Sequence, residues 1–378
     1  MADTDPDQSG PTVLPSGATV RTEPETSTAE TSGRGPVSRR TLLTGVGVAA
    51  VAGLAMGAGV AGPIAYHRGR STGGSASVAN RPLTLIYGGD VCDAPAIVAK
   101  EKGFFADAGL DVTLRRTVGD EDIKAAVGSG QYDASSGIFY SWLKPIEQGQ
   151  NVKFIAGLHG GCLRLIVPKN SKFTTVANLK GATIGIPSLH SSATMFFSMD
   201  LLDAGINPLP EAKQVVWKVM DSSVLADALK KGEVDAIATS DPIAYLPVLD
   251  GYGVELASNM SGMNAQAYCC CTALNGDLVK NEAPLARKLI DAWCQGSRYV
   301  AGNEAEVARI EVDKKYVAGD VKTIETLLKS YTWKPSVTKL KSSLLPGIEK
   351  FKKTGYLESS SSPQQLADKA FTTLGLTW

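Results

Sequence analysis

Histidine is scarce in this sequence. There are three in 378 residues, and only His159 and His190 lie beyond the first 80. No H-E-x-x-H, G-x-S-x-G or G-x-x-x-x-G-K-[ST] occurs, so zincin, nucleophile-elbow and P-loop chemistry have no motif here. The paired C-x-x-C spacing of structural zinc sites is missing as well. Excess charge of either sign is absent, because 38 Lys plus Arg balance 38 Asp plus Glu. Net charge therefore gives no argument for a nucleic-acid partner or an anionic surface. Residues 1–37 have almost no large apolar side chains and are rich in Thr, Ser, Pro, Gly, Asp and Glu. Such a stretch cannot bury enough surface to offset its ordering entropy, and it is expected to be a disordered extension. The sequence as a whole has the 43% apolar content of a globular chain, and its length allows two domains.

Residues 38–80 are a different material. Ser38-Arg39-Arg40-Thr41-Leu42-Leu43 precedes a weakly hydrophobic Gly/Ala-rich run from Thr44 to Tyr66, followed by Arg68 and Arg70. A paired arginine ahead of such a run is the twin-arginine export pattern, which makes the twin-arginine translocase an expected partner. The alternative is a membrane anchor, since the run is about long enough to span a bilayer. No cysteine closes it, which excludes a bacterial lipoprotein anchor. Cleavage is expected near Ser75–Ala79, with retention as an anchor the other outcome. Either way the protein is exported, to the periplasm or the cell surface, and meets membrane only through this segment. The twin-arginine route carries folded proteins, so a cofactor inserted before export is allowed but not required.

From about residue 81 strand and helix signals alternate. Leu83–Tyr87 reads as a strand, Ala94–Ala108 as a helix, Asp111–Val118 and Tyr132–Ser136 as strands, and Phe139–Glu147 as a helix. Val152–Leu158 and Leu163–Val167 read together as one extended region. A second unit opens near Thr174, with strands at Thr183–Ile186, Val215–Met220 and Val234–Ala238 and a helix at Ala193–Ala204. This alternation predicts an α/β chain with mixed, mostly parallel sheets flanked by helices. Three segments are expected: lobe 1 over 81–172, lobe 2 over 173–265, and a return to lobe 1 with C-terminal helices over 266–378.

Several stretches share one pattern. Leu83–Tyr87 and the turn Gly88-Gly89-Asp90 lead into Ala94-Pro95-Ala96-Ile97 and then Lys102-Gly103-Phe104-Phe105, closing with Gly109-Leu110-Asp111-Val112. Later come Leu179-Lys180-Gly181 before Thr183–Ile186, then Gly232-Glu233-Val234-Asp235-Ala236-Ile237 and Asp241-Pro242. The sequence resembles the solute-binding proteins of ABC importers, in the NMT1-like group that serves nitrate, sulfonates, taurine and thiamin pyrimidines. The resemblance covers about residues 83–355. It implies a type II periplasmic-binding fold whose two lobes close on a small molecule, as a monomer, and pass it to an ABC permease.

In open α/β sheets ligands bind beyond the carboxyl ends of strands, where helix N-termini present free N–H groups. Gly88, Cys92, Gly137, His159, Cys162, Ser188, His190, Ser191, Ser192 and Asp241 are the candidate ligand-binding residues, with Ser191 or Ser192 alternatively a plain helix cap. No catalytic residue and no organic cofactor are expected. A metal ion is the alternative, because thiolate and imidazole suit soft ions. Its candidate ligands are Cys92, His159, Cys162, His190, Cys269 and Cys271. Within Cys269-Cys270-Cys271 an extended backbone points alternate side chains to one face, which sets Cys269 and Cys271 together and Cys270 opposite. In an exported chain disulfides are the default, and six cysteines allow 15 pairings. Tyr268–Ala273 and Asn281–Arg287 also resemble the fungal thiamin-pyrimidine synthase, an iron-dependent enzyme with C-C-C-F-C. Thr272 and Ala273 replace its Phe and Cys, and an enzyme of that type is a further alternative.

Overall fold

The structure is a computed structural model that describes residues 81–118, 121–262, 264–265 and 268–378. The expected disordered extension, export segment and anchor over 1–80 lie outside the described residues. Two five-stranded sheets form the frame, with strand orders β2-β1-β3-β10-β4 and β7-β6-β8-β5-β9. The strands are β1 (Leu83–Tyr87), β2 (Val112–Arg116), β3 (Ala134–Gly137), β4 (Val152–His159), β5 (Leu163–Pro168), β6 (Thr183–Ile186), β7 (Val216–Val219), β8 (Ala236–Ser240), β9 (Gly253–Ser258) and β10 (Cys270–Asn275). In the first sheet β1 runs parallel to β2 and β3, from Leu83 opposite Val112 to Tyr87 opposite Arg116, while β10 is antiparallel to β3 and β4. In the second, β6 is parallel to β7 and β8, and β5 is antiparallel to β8 and β9. Each lobe is thus a mixed sheet with helices against it, a two-lobed type II periplasmic-binding fold.

The buried faces explain the strands. Leu83, Leu85 and Ile86 are almost wholly out of solvent, as are Leu163, Leu165, Ile166 and Val167. Runs of this kind suit strands covered on both sides. The return segment closes the first lobe through close helix contact. Helix Ala283–Val300 lies against helix Ala94–Glu101. At the contact a Cβ on Gly296 would sit 2.1 Å from the Pro95 carbonyl oxygen, so only glycine lets the two backbones approach.

The boundary between the lobes lies earlier than the expected 172/173. The single extended region of the sequence reading is two strands in different sheets: β4 ends at His159 and β5 opens at Leu163. Gly160–Cys162 is the crossover, and periodicity could not show it because both strands are mostly apolar, Lys153, His159 and Arg164 aside. Gly161 has φ 104° and Cys162 has φ 106°. A non-glycine residue in that region is strained by about 1–3 kcal/mol. The second crossing lies between β9 and β10. The two crossings are tied together: Asn259 N–H donates to the Leu163 carbonyl at 3.1 Å, and Cys269 N–H donates to the His159 carbonyl at 2.8 Å.

Candidate functional site

A cleft of about 470 Å³ opens between the sheets. Its walls are the carboxyl ends of parallel strands from both lobes. After β1 the chain turns through Gly88, Asp90, Cys92 and Asp93; Arg116 ends β2; Gly137 ends β3 and leads to Ser141 and Trp142. From the other lobe come Pro187, Ser191 and Ser192 after β6, and Thr239 and Ser240 at the end of β8. Ser240 Oγ donates across the cleft to Asp90 Oδ1 at 3.3 Å.

Local rules place these groups. Asp93 Oδ2 accepts from the Gly89 and Asp90 N–H groups at 2.9 and 3.0 Å, which folds the loop back on itself. Ser191 is the N-cap of helix Ser192–Asp203, its Oγ accepting from Thr194 N–H at 3.2 Å. The capping role and the place in the cleft wall coexist in this one residue. The helix start leaves N–H groups facing the cavity, a setting that favours negative charge. Lys124 also lines the cavity, with its ammonium 6.0 Å from the centre of the Trp142 ring. Burial lowers the Lys124 pKa. Burial pushes the opposite pole up as well, Asp90 to about 6 and Asp93 to about 8. The cleft thus combines Arg116, Lys124 and a helix start with the carboxyls of Asp90 and Asp93 and a group of thiols.

The sulfur side is built from both crossings and the β1 loop. Cys92, Cys162, Cys269 and Cys270 all line the cleft. Ligand atoms of Cys92, His159 and Cys270 lie within 4.8 Å of one another, and so do those of Cys162, Cys269 and Cys270. Cys162 Sγ is 2.8 Å from Cys269 Sγ. Hydrogen bonds from Cys162, Cys269 and Cys92 hold the Cys270 thiol well below its ordinary range, while burial drives Cys162 and Cys269 well above theirs. All six cysteines are buried and none is in a disulfide. His159 is 0% exposed, stacked on Tyr331 and packed on Trp333, and neither ring nitrogen has a hydrogen-bond partner. An orphaned buried donor of this kind costs about 1–3 kcal/mol.

The sequence candidates divide on this geometry. Gly88, Cys92, Gly137, Cys162, Ser191 and Ser192 line the cleft. His159 lies behind it and reaches the thiols. Two metal candidates are corrected. His190 is exposed at the rim, outside the wall and outside the thiol group. Cys271 turns away and Cys270 takes its place. The reason is an irregularity in β10: the register to β4 shifts between Cys270 and Cys271, and Cys269 precedes the strand. Strict alternation therefore does not apply, and Cys269 and Cys270 share the cleft side. Ser188 is exposed and contributes only its carbonyl, which accepts from Thr194 Oγ1 at 2.8 Å. Asp241 is 0% exposed and holds the hinge instead of facing the cavity. Its oxygens accept from Arg164 Nε at 3.0 and 2.9 Å, and Oδ2 accepts from Tyr331 Oη at 2.8 Å. Arg164 also pairs with Glu255. Sequence reasoning missed Arg116 and Lys124. Arg116, the last residue of β2, sits where the strand-end rule points.

Residues 93–307, more than half of the chain, match the NMT1/THI5 like family model. The chain belongs to the NMT1/THI5-like family. No curated protein sequence matches it. Among solved structures it is similar to the zinc-bound ligand-binding component of an ABC-type import system from Staphylococcus aureus, at 15% identity and TM-score 0.63, covering 78% of this chain and 97% of that one. It is equally similar to the alkanesulfonate-binding protein SsuA from Xanthomonas axonopodis pv. citri bound to MOPS, at 17% identity and TM-score 0.63, covering 77% and 99%. The nitrate-binding protein NrtA from Synechocystis PCC 6803 matches at 15% identity and TM-score 0.60, covering 79% and 87%. At such identities the likeness is one of fold, and the NMT1/THI5-like chain shares the two-lobed frame of these proteins.

Proposed function

We infer that this protein is an extracytoplasmic solute-binding protein that closes its two lobes on a small molecule and delivers it to the permease of an ABC importer. The cleft carries this reading. Its wall is drawn from the carboxyl ends of parallel strands in both lobes, so a single ligand touches both. A ligand that bridges the lobes stabilises the closed state by its differential affinity. The NMT1/THI5-like membership and the import-system neighbours support the same role. The paired-arginine segment supports export, with the twin-arginine translocase as the route.

The polar groups suggest the solute. Arg116, Lys124 and the start of helix Ser192–Asp203 suit an acidic or strongly polar group. Trp142, almost wholly buried, closes the wall beside Lys124. The test is native mass spectrometry of the full-length protein from the extracytoplasmic fraction of its own host. One organic solute per chain, lost on Arg116→Ala and on Lys124→Ala, supports the reading. A chain that emerges empty, and whose tryptophan fluorescence responds to no extract of the host's growth medium, overturns it.

A further inference from the structure

We propose that Cys270, with two or three of the donors Cys92, Cys162, Cys269 and His159 around it, binds one thiophilic metal cation, Zn(II) or Cu(I), at the hinge-side floor of the cleft. The proposal stands independently of solute delivery, since it rests on donor atoms and on no neighbour's ligand. Five soft or borderline donors arrive from three separate stretches of chain: the turn after β1, the first crossover, and the second crossing with the start of β10. The two groups of three share Cys270, so its sulfur is the common corner of the site. Tetrahedral zinc–thiolate bonds of about 2.3 Å set neighbouring sulfurs roughly 4 Å apart. A group confined within 4.8 Å matches that scale.

His159 is the second, independent observation. Its ring is fully buried in a cluster with Tyr331 and Trp333, and both nitrogens lack partners. A histidine kept dry with no hydrogen bond has no stabilising polar contact of its own. A nitrogen lone pair directed at a metal supplies one. Cross-strand pairing puts His159 opposite Cys270 in the β4–β10 ladder, which fixes the nitrogen and the sulfur on the same spot.

The backbone at Cys162 points the same way. Its φ of 106° is a conformation that side-chain-bearing residues avoid; its sulfur stands 2.8 Å from that of Cys269, closer than two sulfurs on one zinc, so the two thiols move apart if both ligate. Strained residues that persist cluster at functional sites. The donor set selects the ion. Thiolate and imidazole favour Zn(II) and Cu(I) over Mg(II) or Ca(II). Each thiol that ligates gives its proton to solvent, so uptake releases protons in proportion to the thiols engaged. The spacing of the donors along the chain explains why no zinc-type motif is visible. The site exists only once both crossings are in place.

The test uses the full-length protein, reduced, stripped with a chelator and kept anaerobic. Zn(II) and Cu(I) are titrated separately against chromophoric competitors, and Co(II) is added as a spectroscopic probe for thiolate ligation. The expected result is one ion per chain, thiolate-to-cobalt charge-transfer absorption, and at least 100-fold weaker binding in Cys270→Ser. Cys92→Ser, on a short turn away from both crossings, is expected to weaken binding at least tenfold, and decides the matter if Cys270→Ser does not fold. Cys294→Ser, whose thiol lies in helix Ala283–Val300 outside both groups of donors, is expected to leave stoichiometry unchanged. Four reduced, titratable thiols with no stoichiometric ion would overturn the proposal. So would a mapped Cys162–Cys269 disulfide in protein taken from its host. Solute binding is measured on the same apo and metal-loaded samples. A protein that binds metal and no solute defeats the transport reading alone, and one that binds solute and no metal defeats this proposal alone.

Discussion

Asp241→Ala tests how the hinge is held. Asp241 is 0% exposed and accepts three hydrogen bonds, two from Arg164 Nε at 3.0 and 2.9 Å and one from Tyr331 Oη at 2.8 Å. Arg164 lies in β5 of the second lobe. Tyr331 follows helix Val321–Ser330 and stacks on His159 of the first lobe. The carboxylate therefore ties the lobes together where the chain crosses. Removing one member of a buried pair costs about 3–5 kcal/mol, because the other charge is left uncompensated. Arg164 keeps Glu255 and Ser330 as partners, which sets the expectation at the lower end, about 3 kcal/mol. For a chain this long each kcal/mol shifts the melting midpoint by about 2–4 °C, so the expected fall is about 6–12 °C. Thermal and urea denaturation of Asp241→Ala, Arg164→Ala and the double variant form a cycle. The two single losses should overlap by about 2 kcal/mol. Additivity to within about 0.5 kcal/mol would refute the reasoning, as it would mean the two groups do not act on each other.

Other consequences are equally specific. Burial pushes Asp200 up to about 6 from its ordinary 3.8, outweighing the hydrogen bond from Asn264. The fold thus favours the protonated form: its contribution is full below about pH 4, falls as pH rises toward 6, and above that leaves a penalty of about 3 kcal/mol. Asp200→Asn keeps an acceptor for Asn264 and is expected to raise the urea midpoint at pH 7 while leaving pH 4 almost unchanged; an unaltered midpoint at pH 7 rejects this. Ser191→Ala removes the cap of helix Ser192–Asp203 and should cost about 1 kcal/mol in urea denaturation. Solute affinity, read by calorimetry, should fall with it. Gly296→Ala drives a methyl to 2.1 Å from the Pro95 carbonyl oxygen, and a loss of about 1–3 kcal/mol is expected by thermal denaturation. An unchanged midpoint would show that the two helices separate freely.

The parallel strand–helix units were legible because each is a local pattern. Leu83–Tyr87 with Ala94–Glu101, and Thr183–Ile186 with Ser192–Asp203, each announce a strand, a turn and a helix within about 20 residues, the second helix capped by Ser191. The cleft loops Gly88–Asp93, Gly137–Tyr140 and Ser188–Ser192 followed from the same rule, since strand ends are readable from strands. The crossover was not legible, because β4 and β5 are both mostly apolar and the Gly160-Gly161 turn between them does not say that the chain changes sheet. Periodicity also misassigned Cys270 and Cys271, because alternation assumes a regular strand and the register of β10 shifts between them.

The sequence by itself determined the alternation of strand and helix and the two lobes, because short-range periodicity and turn chemistry act within a few residues. Only the tertiary structure decided that Asp241 clasps the hinge, that His190 stands aside, and that Cys270 completes the thiol group. Those outcomes depend on which distant segments meet at the two crossings, and on one irregularity in a strand, neither of which a linear pattern contains.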